Sequence, residues 1–176
     1  MKAGARQRRV FAIDPTTGGF GFVVFDSSDH LIDWGVAHVG KHDKNAKCLA
    51  RVATLMHRYE PSVLVVEDPT PGASRRSPRV QRLIKAVIEL AAKYGTRTRC
   101  LTRRAIRNHF LKVGVTTKVP IAAAIASRLP ELTPHLPPKR KMWMSEDDRM
   151  AIFDAASLAL TYLAGVEKRR RGTAVA

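Results

Sequence analysis

Three acidic residues lie where the surrounding apolar sequence predicts buried structure. Asp14 ends the apolar run 10–13, Glu67 ends the run 63–66, and Asp154 is the only charged residue in the stretch 150–163. Burying an isolated carboxylate costs several kcal/mol, or drives it to the neutral form, unless a cation or hydrogen-bond donors compensate it. Three such residues at the edge or middle of core elements suggest that they converge on a metal ion.

Carboxylate oxygens are the hard ligands that Mg²⁺ and Mn²⁺ prefer. Two such ions about 4 Å apart can stabilise the attacking and leaving oxygens of phosphodiester cleavage. Asp147 is a fourth candidate ligand, because helical spacing places it on the same face as Asp154. Other roles remain open. Asp14 could cap a turn before Pro15, and Glu67 could pair with an arginine. Asp147 could interact with the helix dipole in the first turn of the last helix.

The charge balance of the chain predicts a polyanionic partner. Its 176 residues include 31 Lys and Arg against 15 Asp and Glu, which gives a net charge of +16. Nucleic acid is the first candidate partner, and an anionic membrane surface is the second. We expect no membrane association, because no segment reaches the roughly 18 apolar residues of a spanning helix. With no signal peptide and no metal-type cysteine pair, we expect a cytoplasmic, nucleoid-associated protein.

The pattern of apolar residues predicts a single α/β domain. We expect strands at 9–14, 20–25, 31–39, 63–66 and 96–101, and helices at 44–59, 77–94, 102–110, 119–128 and 145–163. Ser77 and Pro78 should begin the second helix, whereas Gly165 should end the last one, which opens with the capping pattern of Ser145 and Asp148. We place the domain at residues 1–166, followed by a flexible basic tail at 167–176.

This order of elements predicts a mixed five-stranded sheet flanked by helices. The first three strands should form an antiparallel meander, and the two later strands should lie parallel to the first. If the first and fourth strands are neighbours, Asp14 and Glu67 emerge at the same end of the sheet. Ligands favour this carboxyl end of parallel strands.

Basic residues are concentrated between Pro69 and Lys112, where twelve Lys or Arg accompany a single acid, Glu89. Phosphate neutralisation by such residues gives an affinity that falls steeply with salt. The residues that we expect to contact DNA are Arg75, Arg76, Arg79, Arg103, Arg104, Lys112 and Lys118. The two tryptophans, Trp34 and Trp143, are predicted to pack in the protein rather than to stack on bases.

Four segments resemble the RuvC-type Holliday junction resolvases. They are Phe11-Ala12-Ile13-Asp14-Pro15 with Gly18-Gly19-Phe20-Gly21, Val65-Val66-Glu67, Lys112-Val113-Gly114-Val115-Thr116-Thr117-Lys118, and Asp154-Ala155-Ala156-Ser157-Leu158-Ala159-Leu160. The resemblance covers nearly the whole chain in the right order. It implies a ribonuclease H-like fold, a homodimer, and Mg²⁺-dependent nicking of four-way DNA junctions. It also implies metal-ligand roles for Asp14, Glu67 and Asp154, and places Lys118 near the scissile phosphate or DNA backbone.

The chain departs from the pattern of that family at three places, the first being a first turn that is shorter than usual. Ser157 stands where the family has a second acidic residue in its last motif, so the site has three carboxylates or recruits Asp147. The segment 68–79 contains no aromatic residue, although the family has an aromatic wedge after its second acidic motif. Three other functions therefore stay open: a YqgF-type RNA nuclease, a non-catalytic nucleic-acid-binding module, and an actin-like phosphotransferase, which the short chain disfavours.

Overall fold

A computed structural model describes residues 8–27, 30–141 and 143–173 of the chain. These residues form five strands: β1 (Val10–Pro15), β2 (Gly19–Phe25), β3 (Leu31–His38), β4 (Val63–Glu67) and β5 (Arg97–Leu101). The helices are α1 (Lys44–Tyr59), α2 (Pro78–Lys93), α3 (Arg103–Leu111), α4 (Lys118–Arg128) and α5 (Met150–Thr173), with a 3₁₀ helix at Pro130–His135. The predicted elements are confirmed, with shifted boundaries.

The strands form one mixed sheet in the order β3-β2-β1-β4-β5. β1, β2 and β3 pair antiparallel, whereas β4 pairs parallel with both β1 and β5. The prediction of a five-stranded sheet with three antiparallel strands and two added parallel strands is therefore confirmed. In the β1–β4 ladder, Val10 pairs with Val63 and Ala12 with Val65. Continuing this register brings Asp14 level with Glu67.

Helices cover both faces of the sheet. Alternate residues of β1 separate two cores, because successive side chains of a strand point to opposite faces. Phe11 and Ile13 pack on the face covered by α1 and α2, whereas Val10 and Ala12 pack on the face covered by α4 and α5. The apolar stripe of α2 thus lies in the first of these cores and is not left free for a partner subunit.

Helix α5 crosses the middle of the second core, where it packs on β1, β2 and β4. Gly21 in β2 pairs with Asp14 in β1 and makes room for the start of this helix. A Cβ atom at Gly21 would lie 2.2 Å from the carbonyl carbon of Ala151. The close approach of α5 to the end of β1 therefore depends on glycine at this position, and it brings the helix beside the acidic end of the sheet.

Both predicted boundaries of the last helix are wrong. The segment before Met150 is not helical, so Ser145 and Asp148 do not form the predicted cap, and the argument from helical spacing does not apply to Asp147. The helix also continues past Gly165 to Thr173, because one glycine costs a helix only about 1 kcal/mol. The predicted basic tail is thus helical at residues 167–173, while 174–176 lie outside the described residues. Its flexibility stays a prediction.

By length and composition alone, α5 is apolar enough to cross a membrane. The expectation that no segment reaches this threshold is therefore wrong. Over half of the relevant window is buried inside the protein, among core residues of the sheet and α4. The apolar sequence of α5 is thereby explained by its position in the core.

Candidate active site

Two of the predicted site residues lie side by side at the carboxyl end of the parallel strands. Asp14 belongs to the same face of β1 as Val10 and Ala12, and Glu67 belongs to the same face of β4 as Val63 and Val65. Both carboxylates therefore point toward α5. They are nearly inaccessible, with 3% of Asp14 and 4% of Glu67 exposed. Strand alternation and the shared register are sufficient to bring this pair together.

Asp154 reaches the same place from α5, and Lys118 reaches it from the first residue of α4. Together with Asp14 and Glu67 they line a cleft of about 560 Å³, whose walls also carry Arg76, Arg103, Arg107, Glu146 and Ser157. The Asp154 side chain is 21% exposed and faces this cleft. A cleft of this volume is in the range that holds a nucleotide-sized group.

The carboxylates of Asp14 and Glu67 are bridged by the guanidinium of Arg76. Its Nη2 donates to Asp14 Oδ1, and its Nε donates to Glu67 Oε2 at 2.9 Å. Its Nη1 donates to the carbonyl of Pro15, also at 2.9 Å. Arg76 was predicted to contact DNA, but the structure places its side chain inside the carboxylate cluster. Any contact with DNA stays a prediction.

Glu67 has two further partners on its second oxygen. Arg103 Nε donates to Glu67 Oε1 at 3.1 Å, and Ser74 Oγ lies 3.4 Å from the same atom. The pairing of Glu67 with arginine, left open from the sequence, is therefore observed. Arg103 also was predicted as a DNA contact. Its side chain is half exposed at the cleft wall, where it neutralises Glu67.

Lys118 joins Asp154 to a residue that the sequence prediction missed. Its Nζ lies 2.7 Å from Asp154 Oδ2 and donates to Glu146 Oε1 at 2.7 Å. Glu146 lies in the segment before α5, in the acidic run 146–148. The sequence feature that could have identified Glu146 was this run of three acidic residues in a strongly basic chain. Lys118 was predicted near the scissile phosphate or DNA backbone; the structure places it beside Asp154, and its role stays a prediction.

Ser157 and Asp147 were the two candidates for completing the predicted metal site. The Ser157 hydroxyl donates to the backbone carbonyl of Asp154 at 2.7 Å, so it is used within α5. Asp147 accepts hydrogen bonds from Arg149, at 2.8 Å from Nε and 2.6 Å from Nη2. These hydrogen bonds with Arg149 lower the pKa of Asp147 to about 2. Asp147 borders a smaller cavity shared with Asp14 and Asp154, but its carboxylate is already paired.

Burial controls the protonation of the two most enclosed aspartates. It raises the pKa of Asp14 to about 7, with further upward effects from Asp154 and Glu67 that Arg76 and Lys118 oppose. Burial likewise raises the pKa of Asp154, against the attraction of Lys118. Burial disfavours the charged form of Lys118, but Asp154 and Glu146 outweigh this effect and raise its pKa. The cluster is thus a set of mutually dependent charges.

The donor chemistry of the cluster fits a hard divalent cation, because Asp14, Glu67 and Asp154 supply only carboxylate oxygens. The present arrangement does not yet form a metal site. Among residues 8–27, 30–141 and 143–173, no group of three or more His, Cys, Asp or Glu side chains is close enough to hold an ion. The cations Arg76 and Lys118 hold the carboxylate oxygens instead.

The remaining predicted DNA contacts are distributed around the cleft. Arg75, Arg104 and Lys112 are exposed. Arg79 is partly buried, because its guanidinium donates to Asn45 Oδ1 at 2.9 Å and to the carbonyl of Thr16 at 3.0 Å. Arg79 thereby joins α2 to α1 and to the turn after β1. No contact with nucleic acid is established for any of these residues, and their roles stay predictions.

The prediction that Trp143 packs in the protein is wrong. Its side chain is 79% exposed. The ammonium of Lys141 lies 5.2 Å from its ring centroid, and Lys139 and Arg140 precede it in the chain. Trp143 is also only three residues from Glu146, the partner of Lys118. An exposed indole therefore lies on a basic segment that closely precedes Glu146 in the chain, an exposure that its apolar character did not predict.

No protein-family model and no curated protein sequence matches the chain. Comparison with solved structures finds RuvC of Thermus thermophilus, at 18% identity over 87% of this chain and 92% of that one, with a TM-score of 0.62. The same protein in complex with a Holliday junction substrate matches at 19% identity over 94% and 96%, with a TM-score of 0.63. The fowlpox virus Holliday junction resolvase matches at 14% identity over 90% and 99%, with a TM-score of 0.52. At the level of fold, the resemblance stated from the sequence is confirmed: this is a RuvC-like, ribonuclease H-like fold.

Proposed function

We propose that this protein is a structure-selective, divalent-metal-dependent endonuclease that nicks four-way DNA junctions. The observation that carries the proposal is the convergence of Asp14, Glu67 and Asp154 on one cleft beside Lys118. The fold adds support, because the similar structures include a RuvC bound to a Holliday junction. The net charge of +16 favours a polyanionic substrate.

We assign Asp14, Glu67 and Asp154 as the ligands of Mg²⁺ or Mn²⁺ once their oxygens are free of the basic side chains. Such ions supply an activated water and neutralise charge on the leaving oxygen in phosphodiester hydrolysis. Asp147 is a less suited ligand because Arg149 holds both of its carboxylate oxygens. We therefore propose a site with three carboxylate ligands. Ser157 stands at the position where the family has a fourth acidic residue.

The basic residues of the cleft act on the phosphate itself. Lys118 presents an ammonium next to Asp154, where it can donate to a phosphate oxygen and offset the charge that develops during cleavage. Arg103 and Arg107 line the same cleft and can position the DNA backbone on either side. These contacts supply orientation and charge stabilisation rather than sequence recognition.

The substrate surface extends beyond the cleft. Arg75, Arg104 and Lys112 offer exposed charges for the backbone of the junction arms. Trp143 supplies an aromatic surface that the segment 68–79 lacks. Its basic neighbours carry the charge opposite to that of DNA. We propose that Trp143 stacks on a base unpaired at the branch point. Every base has an aromatic face, so this contact would favour opened structure over a particular sequence.

A resolvase must cut two symmetry-related strands, and a twofold homodimer supplies two sites with that symmetry. We propose such a dimer for this protein. The apolar stripe of α2 is not its interface, because that stripe packs against the sheet and α1. Measuring the molecular mass in solution, with and without junction DNA, tests whether the protein is a dimer.

The decisive experiment offers the purified protein four substrates with Mg²⁺ or Mn²⁺: a four-way junction, a linear duplex, a flap and a structured RNA. Paired symmetric nicks in the junction alone are the expected result. Preferential cutting of the RNA would instead support a YqgF-type RNA nuclease. Junction binding without cleavage of any substrate would support a non-catalytic module.

The catalytic assignment is tested separately with Asp14→Asn and Asp154→Asn. Each variant should lose metal-dependent cleavage and retain junction binding. Glu131→Gln is the control, because Glu131 is an exposed acid that lines neither the cleft nor the smaller cavity beside it. Undiminished cutting by either site variant would remove the carboxylates from the proposed mechanism.

A further inference from the structure

All three nitrogens of the Arg76 guanidinium are engaged at the buried end of the sheet. One contacts Asp14, one contacts Glu67, and the third donates to the carbonyl of Pro15. A planar guanidinium matches this set of acceptors, because its donors form a fixed fork. Burial opposes its charge, but Asp14 and Glu67 outweigh burial and raise the pKa of Arg76, so it stays cationic.

The backbone around Arg76 is held in the same place. Its amide lies 3.2 Å from Ser74 Oγ, and that hydroxyl also reaches Glu67. Its carbonyl accepts a hydrogen bond from Gln81 Nε2 at 2.8 Å, which connects it to α2. The segment between β4 and α2 thus delivers a positive charge between two strand carboxylates through several independent contacts.

We propose that Arg76 is an internal counter-ion that competes with the divalent cation for Asp14 and Glu67. The inference rests on the proposed function, since it concerns the same site, and it deepens that function by adding a control on metal loading. A cation and the guanidinium need the same carboxylate oxygens. The metal therefore binds weakly while Arg76 is in place and fully only when the side chain moves away.

The geometry also indicates where the side chain goes. The Arg76 side chain is 21% exposed and lines the cleft, so its guanidinium can move out in that direction. The exposed Arg75 precedes it, on the side from which we expect the DNA backbone to approach. A phosphate is a bidentate acceptor for a guanidinium and can replace the two carboxylates. DNA arrival and metal loading are then coupled, and the coupling is reciprocal.

The test measures Mn²⁺ affinity without DNA, by water-proton relaxation, for wild type, Arg76→Gln and Arg75→Gln. Arg76→Gln should bind Mn²⁺ about tenfold more tightly or better, because a hydrogen bond to a charged group is worth at least that factor. Arg75→Gln removes the same charge from the adjacent residue, which has an exposed side chain, and should stay near wild type. Equal affinity for all three proteins, or no measurable Mn²⁺ binding by wild type and Arg76→Gln, would overturn the inference.

A second measurement covers the case in which Arg76→Gln folds poorly. Thermal unfolding of wild type, Arg76→Lys and Arg76→Gln is compared in chelator and in Mn²⁺. Competition predicts a larger Mn²⁺-induced rise in Tm for both variants, because the stabilisation by a bound ligand grows with the logarithm of its concentration divided by its Kd. A purely structural Arg76 predicts a lower Tm with the wild-type metal response, which would overturn competition.

These readouts separate the inference from the proposed function. Both are made without DNA, so they do not depend on which nucleic acid the protein cuts. Tight Mn²⁺ binding by Arg76→Gln together with no cleavage of any substrate would support the counter-ion role and reject the nuclease. If the protein cleaves junctions but wild type and Arg76→Gln bind Mn²⁺ equally well, the nuclease would be supported and the counter-ion role rejected.

Discussion

The ammonium of Lys118 and the carboxylate of Asp154 face each other at 2.7 Å, although 36 residues separate them in the chain. Lys118 begins α4 and Asp154 lies in the second turn of α5, so the pairing joins two helices on one side of the sheet. Glu146 shares the same ammonium from the preceding segment. This pair lines the same cleft as Arg76.

Lys118→Ala should slow cleavage of a bound junction by about 10²-fold to 10³-fold, the usual cost of removing one donor from a developing charge. Single-turnover kinetics at saturating protein measure this rate directly. Lys112→Ala is the control, because Lys112 is an exposed lysine nearby in the chain and should alter affinity rather than rate. Equal rate losses in the two variants would remove Lys118 from the reaction centre.

The metal-free protein should lose stability as the pH rises from about 4 to about 7. Asp14 has a pKa of about 7 in the fold against its ordinary value of 3.8, so the native state binds the extra proton across this interval. Wild type should therefore become less stable relative to Asp14→Asn by about 2–3 kcal/mol between about pH 5 and about pH 8. Urea unfolding in chelator measures this difference. Glu131→Gln, at an exposed acid, should show no such trend.

Asp147→Asn should keep metal-dependent cleavage within about tenfold of wild type, whereas Asp154→Asn should lose it. Asp147 is held by Arg149, so replacing it removes a surface ion pair, and such pairs contribute little. Cleavage rates and Mn²⁺ affinity distinguish the two variants. A loss in Asp147→Asn as large as that in Asp154→Asn would establish Asp147 as the fourth ligand.

Arg75→Ala combined with Arg104→Ala should weaken junction binding and flatten its dependence on salt. Each phosphate contact that is lost lowers the slope of log affinity against log salt by about one. Both side chains are exposed, so the fold should be unaffected. Binding isotherms at several salt concentrations give the slope. An unchanged slope would place the DNA on another surface.

Trp143→Ala should weaken junction binding by about 1–3 kcal/mol, the value of one stacked base, with a smaller effect on duplex binding. Trp143→Phe should restore most of the affinity, because it keeps an aromatic face. Tyr94→Ala is the control: Tyr94 is an exposed aromatic residue at the opposite end of the parallel strands. A loss of the same size on junction and duplex would argue against stacking at the branch point.

The sequence by itself determined the elements and the acidic strand ends. Apolar periodicity located α1 at its observed bounds, and Ser77 caps α2 as predicted, since both signals are local. Alternation along β1 and β4 was enough to place Asp14 beside Glu67 once the two strands were taken as parallel neighbours. These features depend on side-chain type and spacing over a few residues, which a sequence displays directly.

The tertiary structure alone decided which charges neutralise which. Arg76 lies in a turn-rich segment without periodicity, so nothing local distinguishes it from the exposed Arg75. Its partner Asp14 is 62 residues away, and the contact exists because β1 and β4 are neighbours in the sheet. The same holds for Lys118 with Glu146, and for the exposed position of Trp143. Ion pairing and exposure depend on distances between elements, which local sequence preferences do not encode.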